Sequence, residues 1–121
     1  MNFALRAVIL TVCFSPYLYF GVLDVLHHKE HRPLPFAERI LHLTLTLTLM
    51  IVLPHAYLGH FDVVIPGVVL FVLARSLDEF IYHRKLKNAE IDLHAKTHFG
   101  FLIFVIGLMA ANWLQTKGAV Q

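Results

Sequence analysis

LTLTLTL, residues 43–49, alternates leucine and threonine with a period of two, the pattern of a half-buried strand. The wider stretch, ERILHLTLTLTLMIVLPHAYLGH at 38–60, carries no Asp, Glu, Lys or Arg after Arg39. The surrounding medium settles the choice. In hydrocarbon an unpaired strand leaves its backbone N–H and C=O groups unsatisfied at several kcal/mol each, whereas a helix satisfies its own. The conformation of 43–49 therefore depends on whether the chain lies in lipid.

The composition says that it does. Of 121 residues 58% are apolar and 15% charged, with a mean hydropathy of +0.68. An ordinary soluble domain is about 45–50% apolar and about 25% charged. Residues 43–49 are accordingly read as helix. The single cysteine, Cys13, excludes an internal disulfide and reads as a small core residue. A net charge of +2 gives no case for a nucleic-acid partner, so the expected partner is the lipid bilayer.

At roughly 20 residues per span, the length admits four spans with short loops. The first helix is expected over about 3–31. Its uncharged run from Ala7 to Leu23 continues through FGVLDVLHH without a small-x-small cleavage site, so it reads as a retained helix rather than a signal peptide. Pro33 and Pro35 stop it. The second helix is expected over 35–58, opened by Pro35 or Phe36. The third is expected over 62–85 with Pro66 in its first turns, and the fourth over 89–115. Short connections make sequential helices antiparallel. The expected fold is all-α: a single-domain, integral-membrane, antiparallel four-helix bundle.

Direction follows from basic residues. Eight of the ten Lys and Arg fall between Lys29 and Arg39 or between Arg75 and Lys96; Arg6 and Lys117 lie at the other side. The positive-inside rule then puts both termini outside the cytoplasm and the loops near residues 32 and 87 inside it. Tyr57 and Trp113 read as anchors at the outer interface.

Nine histidines are the anomaly of the composition. Acids and histidines recur at i, i+4, the spacing that stacks two side chains on one helical face. The pairs are Asp24/His28, His27/His31, Glu38/His42, Glu79/His83, Glu90/His94 and His94/His98. Chance would give about two pairs at the one-turn spacing. Each helix brings one pair to its cytoplasmic end, and the four pairs lie level with one another. Asp24, His42, Glu79 and His98 form an inner layer; His28, Glu38, His83 and His94 form an outer one. One ligand per helix in each of two layers is the geometry of a dinuclear metal centre.

The residue types agree. Mixed imidazole and carboxylate ligation suits iron, manganese or zinc, and carboxylates can bridge metals about 3.5–4 Å apart. Two divalent ions, iron by preference, are therefore expected near the cytoplasmic face. Arg75, Asp78, Glu90 and Tyr82 are expected to orient or neutralise the ligands, with Thr97 a further candidate donor. His27, Glu30 and His31 read as solvated residues beside the loop. His55 and His60 lie at the opposite end, about 20 Å along the helix from His42, and receive no role.

His94-x3-His98, with His27-His28-x2-His31, resembles the histidine-rich membrane di-iron enzymes: fatty acid desaturases, hydroxylases and alkane monooxygenases. Those families carry further HxxHH boxes and much longer chains; here Glu38-x3-His42 and Glu79-x3-His83 stand instead. The resemblance implies a dimetal site and O2 chemistry on a lipid, quinone or other apolar substrate, with a separate electron donor. The alternatives are a membrane protein that stores, senses or transports metal without redox chemistry, and a haem protein using His42 and His55.

Overall fold

The computed structural model describes residues 1–31, 35–82 and 88–118, with side chains for 1–27, 35–81 and 91–118. It contains α1 (Phe3–His31), α2 (Phe36–Leu58), α3 (Phe61–Tyr82) and α4 (Asn88–Gly118), and no strand among the described residues. Residues 43–49 lie inside α2. The threonines that imitate a strand are held by the helix itself. Thr44, Thr46 and Thr48 donate their hydroxyls to the carbonyls of Ile40, His42 and Thr44, one turn back, at 2.8–3.0 Å.

Large apolar side chains are turned outward along every helix, among them Val12, Met50, Leu73 and Met109 at 59–67% exposure. Buried and polar instead are Arg6, Asp24, Glu38, Asp78 and His94. This inversion of a soluble protein's pattern is what lipid contact selects. Three helices are long and apolar enough to cross a membrane: Phe3–His27, Phe36–Leu58 and Ile91–Gly118. α3, expected as the third span, falls outside this set for one reason. Every 18-residue stretch of it contains at least three of Asp62, Arg75, Asp78 and Glu79.

The helices pair as two compact units, α1 with α4 and α2 with α3. In the first, Arg6 Nη1 donates to Gln115 Oε1 at 2.8 Å, and Asp24 meets His94 near the other end, so the two helices are antiparallel. Between these points a Cβ on Gly100 would stand 2.7–2.9 Å from the backbone of Pro16 and Tyr17, so only glycine permits this approach. Phe14 meets Phe104 edge-on at 5.0 Å, and Tyr17 meets Phe101 at 5.5 Å. Asn2 caps α1 by accepting the Leu5 N–H. Pro16, inside α1, cannot donate to the Val12 carbonyl, and the Ser15 hydroxyl donates to it instead at 2.9 Å.

In the second unit, α2 ends at Gly59 in the left-handed conformation, φ 86°. The Gly59 and His60 N–H groups bond back to Ala56 and His55, a Schellman closure that turns the chain into α3 within two residues. The helices then run antiparallel, with Gly67 against Val52 and Asp78 level with His42. The buried face of α2 carries Glu38, Leu45, Thr48, Val52 and Ala56; that of α3 carries Phe61, Val64, Phe71, Ala74 and Asp78.

Candidate metal sites

Each unit ends in a cluster of histidine and carboxylate at the end expected to be cytoplasmic. In α2, Glu38 lies in the first turn and His42 one turn further on. Both follow from an amphipathic stripe that starts at Glu38 and continues through Leu45 and Val52, spaced seven apart. Asp78 extends the stripe of α3, four residues after Ala74 and seven after Phe71. Glu38 and Asp78 are completely buried, and His42 is half-buried.

His42 Nε2 stands 3.3 Å from Asp78 Oδ2, and Arg75 Nη1 is 3.9 Å from the same oxygen. One ligand atom from each of Glu38, His42 and Asp78 lies within 4.8 Å of the other two. Metal–ligand bonds of about 2.0–2.2 Å place donors roughly 3–4 Å apart, so a small closure fits this set to a divalent ion. Two buried carboxylates and an imidazole are also donor types that suit a divalent cation.

In the α1–α4 unit, His94 Nδ1 and Asp24 Oδ2 are 3.1 Å apart, and both side chains are buried. An ionised carboxylate only accepts, so Nδ1 carries the hydrogen, and in the neutral imidazole Nε2 is the nitrogen with a lone pair. This is the arrangement by which a carboxylate orients a ligating histidine. The His98 ring meets that of His94 edge-on at 4.7 Å. Thr97 is buried, but its hydroxyl donates to the Leu93 carbonyl within its own helix.

No family model, curated protein or solved structure matches the chain. The site is thus read from its own residues.

Glu38 and His42 come together with Asp78, a residue expected to support the ligands rather than join them. Glu79 is exposed, one position off the buried stripe of α3. The continuation of that stripe was the signal that brings Asp78 beside Glu38 and His42. Asp24 meets His94, whereas the spacing had paired it with His28. His83 lies outside the described residues, as do the side chains of His28, Tyr82 and Glu90. His27 is half-buried on α1.

Proposed function

We propose that the chain is an integral membrane metalloprotein that holds two divalent ions, iron by preference, and uses them in O2-dependent oxidation of an apolar substrate. The observation that carries the metal-binding core of this reading is the burial of Glu38 and Asp78 beside His42 within one helical pair. A charged group costs about 2.5–3.5 kcal/mol at the centre of a membrane span and less near its ends, where Glu38 and Asp78 lie. A divalent cation held by both carboxylates and His42 would offset that cost.

In this reading Glu38, His42 and Asp78 hold one ion, and His94, oriented by Asp24, contributes to the other. Two irons supply one-electron steps to O2, and an apolar surround keeps water from the reacting centre. The resemblance to membrane di-iron enzymes supports O2 chemistry, and the exposed apolar helix faces support a substrate arriving from the bilayer. Electrons come from a separate donor protein. Both termini lie outside, with the clusters at the cytoplasmic side, as the charge asymmetry implies.

The deciding experiment is metal analysis with optical spectroscopy on protein purified from iron-supplemented cells. Close to two irons per chain are expected, with a near-ultraviolet shoulder that changes within seconds when O2 meets the reduced protein. Zinc as the sole retained metal, or ferrous iron indifferent to O2, would leave metal binding without oxidation. A chain that retains no metal at all would end the reading.

A further inference from the structure

We propose that the α2–α3 turn carries a separate, solvent-facing metal site in which His55 and His60 together bind a divalent ion of the zinc, copper or nickel type. The two rings have their centres 5.7 Å apart and their planes tilted by 57°. With metal–nitrogen bonds of about 2.0–2.1 Å, two imidazoles on one ion have ring centres roughly 5–6 Å apart. The separation of the pair is compatible with an ion between them.

The surrounding bonds fix the His55 ring and the His60 backbone. His55 Nδ1 lies 2.9 Å from the Ile51 carbonyl, which can only accept, so Nδ1 carries the hydrogen and, in the neutral imidazole, Nε2 is the nitrogen left to bind a metal. The His60 backbone is tied on both sides: its N–H donates to His55, and its carbonyl accepts from Val63 and Val64. Gly59, left-handed at φ 86°, reverses the chain between the two histidines. The ordering cost of binding then falls chiefly on the His60 side chain.

Accessibility and ligand type set the chemistry. His55 is half-buried and His60 exposed, so water reaches the pair and completes the coordination. Asp62, two residues beyond His60 and exposed, adds negative charge to the same turn. Imidazole nitrogens favour zinc, copper and nickel over calcium and magnesium, which take oxygen. His55 lies thirteen residues along α2 from His42, about 20 Å away, so the site is independent of the buried Glu38–His42–Asp78 cluster.

The test is a Cu2+ titration of the full chain in detergent micelles, followed by electron paramagnetic resonance. The unmodified protein should give a signal with two nitrogen couplings that excess Zn2+ displaces. His55→Gln and His60→Gln should each lose that signal and weaken the corresponding binding by at least an order of magnitude, with helical circular dichroism retained. Absence of the two-nitrogen signal, or its survival in either variant, overturns the site. In the unmodified protein, substoichiometric Cu2+ should also broaden the ring resonances of His55 and His60 before those of other histidines. Broadening that starts elsewhere overturns it as well.

Discussion

Replacing Gly100 by alanine should destabilise the α1–α4 pair, although alanine is the better helix former. The added Cβ would stand 2.7 Å from the Tyr17 nitrogen, 2.8 Å from its Cα and 2.9 Å from the Pro16 carbonyl carbon. These are backbone atoms and cannot rotate aside, so α1 has to recede by about 0.7 Å to restore a 3.4 Å contact. Overpacking of this kind costs about 1–3 kcal/mol, and the gain in helix propensity returns about 0.8–1 kcal/mol. The net loss then runs from about 0 to 2 kcal/mol, with a middle near 1 kcal/mol. His94 lies six residues from Gly100, about 9 Å along the axis, so the same retreat loosens its 3.1 Å contact with Asp24. Gly21→Ala is the matched comparison, because its Cβ would meet only Thr97 Cγ2 at 3.9 Å, an ordinary contact. Unfolding in micelles with a graded denaturant should rank Gly100→Ala below wild type and Gly21→Ala at or above it. Equal stability of the two variants would refute the claim that backbone contact at Gly100 sets the helix spacing.

Asp78→Asn should remove about one metal equivalent per chain; unchanged metal content by elemental analysis would take Asp78 out of the ligand set. Asp24→Asn should weaken metal binding in the α1–α4 pair by about 10–100-fold through loss of His94 orientation, and a titration indistinguishable from wild type would contradict that role. Ser15→Ala should cost about 0.5–1.5 kcal/mol by removing the donor to the Val12 carbonyl beside Pro16, and no change in the unfolding midpoint would count against it. A reporter fused after Gln121 should behave as extracytoplasmic; a cytoplasmic signal would reverse the orientation.

The helices were legible because a single physical rule, satisfaction of the backbone in lipid, overrides the local period of LTLTLTL. Pro35 and Gly59 marked the bounds of α2 closely, since each acts on its own backbone. The clusters were legible in type and place but not in partnership. Glu38 and His42 share one helix, so their spacing carries the information. That Asp78 joins them depends on which face of α3 meets α2, a tertiary fact expressed only in the stripe through Phe71 and Ala74. Asp24 meets His94 seventy residues away, a distance that no local spacing encodes.

The concentration of charge in the last turns of α3 has a consequence for biogenesis. An isolated α3 leaving the insertion machinery would present Arg75, Asp78 and Glu79 to lipid before any partner had reached them. The two-residue turn at Gly59 and His60 supplies the remedy, since α2 has already emerged with Glu38 and His42 on the face that α3 will meet. Partitioning into the bilayer is then a property of the hairpin rather than of each helix. Insertion of α3 in a reporter chain should accordingly be poor alone and efficient when α2 precedes it, and equal insertion in both contexts would show that α3 needs no escort.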